Sequence, residues 1–297
     1  MSFLNALPGA VAQGIIWGLM AIGVYITYKL LDMADLTVDG SITTGAAVCA
    51  MLIVSGVNVW AAMLCALLAG MLTGLLTGLF HTFMGIPPIL AGILTQLILW
   101  SVNLKIMGSK ANQGLSARTY PVLVTQLERG RSILLLLAVI GVIVALLYWF
   151  FGTEIGCGIR ATGCNLQMSR AQGINTDINK ILGLVLSNGI VALSGALLAQ
   201  YQGFADINMG RGAIVIGLAA VIIGDALFGR LAVNFALKLL AVVGGGVVYY
   251  IVYQLVIWMG LDTDLLKMLS ALVVAVFLAV PYWRGKYFSR PKEKEAK

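Results

Sequence analysis

Charge is what this sequence has least of. Acidic and basic side chains make up 10% of its 297 residues, against 60% hydrophobic ones, whereas an ordinary globular domain carries about 25% charged residues. A soluble fold of this length has no means of hiding so much apolar surface. Histidine occurs once, at His81, which supplies no ligand set and reads as an interfacial residue at the end of an apolar run. The four cysteines, Cys49, Cys65, Cys157 and Cys164, lack the paired spacing of a zinc site and read as small apolar fillers, so no metal is expected. A Gly-x-x-x-x-Gly-Lys-Ser/Thr loop is also missing, because the sole Gly-Lys pair, Gly285-Lys286, precedes Tyr287. Nucleotide binding by that route is excluded. The potential nucleophiles have no partner base nearby in sequence, so no catalytic residue is assigned. The apolar runs hold too few acids and bases for a visible proton relay.

What the chain has instead is length in apolar runs. Nine occur, at Ala10–Leu31, Gly45–Val57, Val59–Phe80, Pro88–Val102, Ile133–Phe151, Ile181–Ala199, Ile214–Phe228, Leu231–Met259 and Leu265–Tyr282. A helix needs about 20 residues to cross about 30 Å of hydrocarbon. Pro88–Val102 reaches that length with its mildly polar flanks; Gly45–Val57 and Ile214–Phe228 fall short. The expected fold is an all-α polytopic transmembrane bundle of about nine hydrophobic segments, two of them short or broken, forming a single membrane domain over residues 1–297. The first run is too long for a signal-peptide core and lacks a basic leader, so a true span is expected there.

The formal net charge is +7, and Arg284, Lys286, Arg290, Lys292, Lys294 and Lys297 crowd into the tail 284–297. That tail reads as cytoplasmic and close to lipid headgroups. Counting back, if every run crosses, the connection Gly152–Lys180 is cytoplasmic and Lys105–Ser132 external. The external connection then carries Lys105, Lys110, Arg118, Arg129 and Arg131, against the positive-inside rule. If Ile214–Phe228 dips in and returns, the two connections change sides. Lysine and arginine counts leave both arrangements open.

Two stretches echo one another. Asp35-Leu36-Thr37-Val38-Asp39-Gly40-Ser41 leads into one short run, and Asp206-Ile207-Asn208-Met209-Gly210-Arg211-Gly212 leads into the other. In the all-crossing arrangement their helices run in opposite senses, as an inverted repeat requires. Asp35, Thr37, Asp39, Ser41, Thr43 and Thr44 form the densest polar cluster beside a span. Acids near hydrocarbon are costly and face protein or water. One reading is a substrate pathway through Asp35, Thr37, Asp39, Ser41, Asp206 and Asn208, with Gly40 and Gly45 permitting an irregular backbone. The other is a wet interfacial loop whose aspartates cap a helix start.

A second cluster falls between Glu154 and Lys180. Asn165 is placed to cap a helix of about two turns and Gly173 to end it. Such a helix is marginal alone, so either it docks on a partner or it is a helical turn in a surface loop. Gly14-x-x-x-Gly18 and Gly70-x-x-x-Gly74-x-x-x-Gly78 permit close helix approach.

The stretch Gly158-Ile159-Arg160-Ala161-Thr162-Gly163-Cys164-Asn165, followed by Ser169-Arg170-Ala171-Gln172-Gly173-Ile174-Asn175, resembles the cytoplasmic loop of ATP-binding-cassette importer permeases of the branched-chain amino acid/ribose family. Asp35-Leu36-Thr37-Val38-Asp39-Gly40-Ser41 resembles that family's early Asp-Leu-Ser-Val-Gly-Ser stretch, with Asp39 as an added acid. The likeness extends over nearly the whole chain and is greatest to the branch paired with amino-acid-binding lipoproteins, often aromatic-type. It implies a multi-pass permease of the cell membrane that catalyses no bond chemistry. It implies a loop 152–180 that contacts a separate ATPase subunit, with ATP and magnesium held there and no cofactor here. Arg160, Gly163, Asn165, Leu166, Met168, Arg170, Gly173 and Ile174 would form that contact. An extracytoplasmic substrate-binding protein and a second permease copy, as a homodimer, complete the implied partners alongside membrane lipids; no nucleic acid is expected. The resemblance favours the all-crossing arrangement. An ion-coupled secondary transporter and a membrane-embedded enzyme are the alternatives.

Overall fold

The computed structural model describes residues 3–258 apart from Arg230, together with Met268, Ala271, Leu272, Ala275, Val276 and Ala279. The basic tail and most of the run Leu265–Tyr282 lie outside the described residues.

The chain is a helical bundle. Helix α1 (Phe3–Tyr25) continues through a π-helical stretch, Ile26–Leu30, and is followed by α2 (Val38–Val54), α3 (Val59–Thr82) and α4 (Pro88–Ile106). A connection carrying the strand β1 (Asn112–Gly114) leads to α5 (Arg129–Gly152). Then come α6 (Glu154–Cys164), the short α7 (Leu166–Ala171), α8 (Thr176–Gln202), β2 (Phe204–Asp206), α9 (Ala213–Phe228) and α10 (Phe235–Trp258). Among the described residues six helices are long and apolar enough to cross a membrane, and α2 and α9 are shorter apolar helices. The sequence-based count of about nine segments is not confirmed: the described residues hold six long apolar helices and two short ones.

The helices differ in how much of themselves they hide. α1 and α8 are mostly buried, whereas α4 and α5 turn most of their surface outward. Leu64, Leu68 and Leu72 of α3 and Leu134, Leu137 and Leu146 of α5 are exposed. Exposed leucines in such rows would be unstable in water at roughly 25 cal/mol per Å²; against lipid tails they need no cover. Polar side chains collect on the hidden helix instead. On α8, Ser187 donates to the carbonyl of Gly23 at 2.8 Å and Ser194 to that of Ile16 at 2.7 Å, so α1 satisfies them where no water can.

Glycine sets the closest approaches. Gly14 and Gly18 face α10, where an added Cβ would stand 2.6 Å from the Cα of Val247 and 2.9 Å from that of Val243. Gly70 and Gly74 press on α8 at Asn188 and Leu184, and a Cβ on Gly78 would lie 3.2 Å from the Cα of Ile181. Both spaced glycine series thus pack helices, as their spacing predicts. Gly40 and Gly45 serve the same end. They lie inside α2, which starts at Val38 rather than after the polar cluster, and a Cβ at Gly45 would meet the carbonyl of Ala192. The irregular backbone expected there falls earlier, between the end of the π-helical stretch and Thr37. The reason is that α2's polar residues find partners within the bundle and need no break.

α8 runs the length of the bundle and serves as a ruler. Its early residue Gly183 touches Leu31, its middle residue Asn188 binds Asp35 and Ser41, and its late residue Gln200 lies 3.5 Å from Cys49. α2 therefore climbs alongside α8 in the same direction. α9 begins beside Asp39, which accepts from Gly212 and Ile214. It ends near Asp225, which pairs with Lys29 at 2.9 Å, at the level where α8 begins. The two short helices start at a common middle level and run in opposite directions. The stretch from β2 to the end of α9 passes from one end of the bundle to the other. β1 and β2 pair antiparallel, Asn112 opposite Asp206, at one end; α6 and α7 close the other.

Candidate functional site

The middle level holds a buried polar network. The carboxylate of Asp35 accepts from the backbone N–H of Thr37 at 2.9 Å and from Nδ2 of Asn188 at 2.8 Å. Ser41 donates to Oδ1 of Asn188 at 2.6 Å and lies 2.7 Å from Oγ1 of Thr73. Thr37 lies 2.7 Å from Thr77, which donates to Thr95 at 2.9 Å. These residues come from the segment before α2 and from α2, α3, α4 and α8, and each is under 5% exposed. An acid is tolerable at this depth because every oxygen is matched. Asp35, Thr37 and Ser41 thus form one cluster locked inside protein.

Asp39 does something else. It is half-buried on the first turn of α2 and spends both oxygens on the start of α9, at 2.9 Å from the N–H of Gly212 and 2.9 Å from that of Ile214. Gly212 has φ of +84° and no side chain to cap its own helix. A carboxylate belongs at the positive end of a helix, and here it arrives from the other short helix. The close approach of Gly210 to the Asp39 carbonyl completes the joint. Asp206 and Asn208 stand apart from it. Asp206 accepts from the Asn208 N–H at 2.8 Å and from Asn112 at 3.4 Å, so they build a turn at the strand-pair end.

Two cavities flank the joint. One of about 180 Å³ is walled by Asp39, Thr43, Gln96, Trp100 and Asn103 among others. The other, about 400 Å³, lies between α1, α9 and α10. Arg211 lines both.

At the far end, α7 is defined at both termini. Asn165 accepts from the Met168 N–H at 3.0 Å, and Gly173 has φ of +81°, the left-handed conformation that favours glycine after a helix. Leu166 and Ile174 are half-buried, and Met168 is 61% exposed. Arg170 is held locally, donating to Thr176 at 2.9 Å and meeting Asp177 at 3.3 Å. Arg160 turns back to donate to the carbonyl of Phe151 at 2.7 Å and sits 6.0 Å over the Phe235 ring. Gly163 abuts the carbonyl of Leu30. Both Arg160 and Gly163 thus bind the loop to its own bundle. A groove of about 510 Å³ runs beside α7 between α6 and α8, walled by Ile155, Ile174 and Ile178 among others.

Sequence reading passed over Asn188, Thr73, Thr77 and Thr95. Signals existed: Ser187-Asn188 is a polar pair in the middle of an apolar run, and Thr73 and Thr77 share the face of Gly70, Gly74 and Gly78 at four-residue spacing. The tyrosines of the larger cavity gave no signal, since aromatics are common in membrane helices.

A multi-pass bundle in which two short helices meet within the bundle, joined by the half-buried Asp39, is an arrangement that membrane transporters use. The chain belongs to the family described as the branched-chain amino acid transport system / permease component, which matches residues 7–286. It is 38% identical to a tyrosine transport system permease protein of Clostridioides difficile over 93% of this chain and 91% of that protein. It is 32% identical to the autoinducer 2 import system permease protein LsrC of Yersinia pestis over 69% of this chain and 58% of that protein. The structure resembles PsaBC from Streptococcus pneumoniae, solved with a Fab, with a TM-score of 0.50 at 15% identity over 95% of this chain and 91% of that one; this likeness concerns the fold. The chain is an importer permease subunit of the ATP-binding-cassette class and a multi-pass protein of the inner membrane.

Proposed function

We propose that this permease moves an amino acid inward by alternating access, driven by a separate ATPase that docks at α7. The observation that carries the reading is α7 itself. Six residues do not hold a helix unaided, yet this one has a side-chain cap, a left-handed glycine stop and an outward methionine. Met168 is exposed, as are Ile155 and Ile178, which line the adjoining groove. That patch has the apolar centre and polar rim of a protein interface. Because Gly163 and Arg160 fix the loop to α1 and α5, force applied there reaches the bundle.

In this reading α7 and the tail 284–297 face the cytoplasm and the strand pair faces outward, where a binding protein delivers substrate. The tyrosine permease relative supports an amino acid as cargo. The opposed courses of α2 and α9 support an inverted repeat whose two half-helices meet at the transport level. A second copy of the chain completes the permease, and ATP and magnesium stay on the partner ATPase.

The test is reconstitution with the ATPase in liposomes. Met168→Asp is expected to detach the ATPase and abolish ATP-dependent uptake while the permease keeps its melting temperature. Unchanged co-purification and uptake would remove α7 from the interface, and uptake without any ATPase would establish a secondary carrier.

A further inference from the structure

α4 and α5 both leave most of their surface uncovered, yet they differ in kind. From Ile133 to Leu147 α5 has no polar side chain, as contact with lipid requires. α4 carries Thr95, Gln96, Ser101 and Asn103 in a shorter span. Asn103 is 1% exposed, and its Nδ2 donates to the carbonyl of Gly40 at 3.5 Å. A carbonyl takes only the donor side of an amide, which sets Oδ1 on the opposite edge. There Oδ1 has no hydrogen-bond partner among the described residues. Buried amide oxygens are nearly always matched, so an unmatched one calls for a donor from outside the chain. Asn103 is a wall of the smaller cavity, about 180 Å³, between α2, α4 and the turn after β2.

Thr43, another wall, spends its proton on the carbonyl of Asp39 at 3.2 Å, so its oxygen too is left as an acceptor. The space holds about six waters at about 30 Å³ each. It follows α4 from Gln96 to Asn103, roughly 10 Å at about 1.5 Å per residue. Toward the strand pair it is bounded by Ile207, whose N–H donates to the carbonyl of Ala111 at 2.9 Å. Within the bundle it reaches Asp39, which holds the start of α9. We propose that this cleft is the outward approach to the joint between α2 and α9. Water fills it, Asn103 holds that water, and a small polar solute enters by giving its own N–H or O–H to the same oxygen. A solute that reproduces the hydrogen bonds of the water it displaces keeps its affinity. The solute's direction of travel rests on the importer reading; the hydration of the cleft does not.

The experiment measures thiol labelling in intact cells that express the full permease–ATPase complex without the four native cysteines. The probe is an impermeant trimethylammonium thiosulfonate, which reacts with thiolate and therefore needs water at the thiol. Gln96→Cys, in the cleft, is compared with Val142→Cys on the outward face of α5, where Val142 is 60% exposed. Gln96→Cys is expected to react at least about tenfold faster, since a thiol against lipid stays protonated. Adding Asn103→Leu, of similar bulk but without the amide oxygen, is expected to slow that labelling about tenfold by drying the cleft. Adding Asn103→Ser, which keeps an acceptor, should leave the rate at that of Gln96→Cys alone. Each variant should keep wild-type ATPase co-purification and melting temperature. If Asn103→Leu does not assemble, the comparison of Gln96→Cys with Val142→Cys and the Asn103→Ser rate decide the proposal. Equally slow reaction at Gln96→Cys and Val142→Cys would show a dry or lipid-filled cleft and overturn it. Labelling of Gln96→Cys only after permeabilisation would overturn the outward direction, and labelling indifferent to Asn103→Leu would remove Asn103 as the group that holds the water. ATP-independent uptake in liposomes would sink the importer reading instead and leave the labelling result standing.

Discussion

Asp35 and Asp39 lie four residues apart and face different problems. Asp35 holds the N–H of Thr37 and the amide of Asn188 in a closed network. Asp35→Ala leaves a buried donor without its partner on two elements, worth about 1–3 kcal/mol. The expected result is a lower melting temperature in detergent, and an unchanged one would mean the network is dispensable. Asp39 caps a helix that is not its own. Asp39→Ala is expected to cost about 0.5–2 kcal/mol, as other N-cap losses do, but to depress uptake more than stability because it frees α9 from α2. Asp39→Asn keeps one oxygen acceptor and should fall between. Uptake equal to wild type in both variants would assign Asp39 a purely local role.

Among the elements, α3 and α8 meet through Gly70, Gly74 and Gly78. A leucine at Gly74 would drive its side chain into the backbone at Leu184, so Gly74→Leu is expected to abolish folded yield as measured by monodisperse recovery. Gly141 of α5 has nothing within 4 Å of its Cβ direction, and Gly141→Ala is expected to leave yield and uptake intact. Equal behaviour of the two variants would remove close backbone approach as the use of these glycines. At the end of α7, Gly173 has open space around it and a φ of +81°. Gly173→Val therefore acts through strain alone, roughly 1–2 kcal/mol. It should loosen ATPase attachment while the bundle's melting temperature holds; unaltered co-purification would mean the loop's exit geometry is irrelevant to docking.

For the whole molecule, the connection 107–128 and the loop holding α7 lie at opposite ends of the bundle. Orientation is tested by single cysteines in a background without the four native ones. Ala111→Cys, beside the strand pair, is expected to react with an impermeant thiol reagent in intact cells, and Gln172→Cys only after permeabilisation. The reverse pattern would invert the permease and place the ATPase contact elsewhere.

Scarcity of charge and the length of the apolar runs determined from sequence alone that the chain lives in a membrane as a helical bundle, because only helices satisfy their backbone without water. Local chemistry likewise made α7 legible: a cap at Asn165 and a stop at Gly173 act within a few residues of themselves. The spaced glycines announced close packing, but not against which helix. Only the tertiary structure decided that Asp35 is sealed against Asn188 about 150 residues away, that Asp39 serves α9, that Asp206 and Asn208 stand apart, and that Arg160 and Arg170 bind their own chain. It also brought Trp17 to the tyrosines of α10. Side-chain partners are set by helix order and rotation, and a helix hydrophobic on nearly all sides carries almost no periodic signal of which face turns inward.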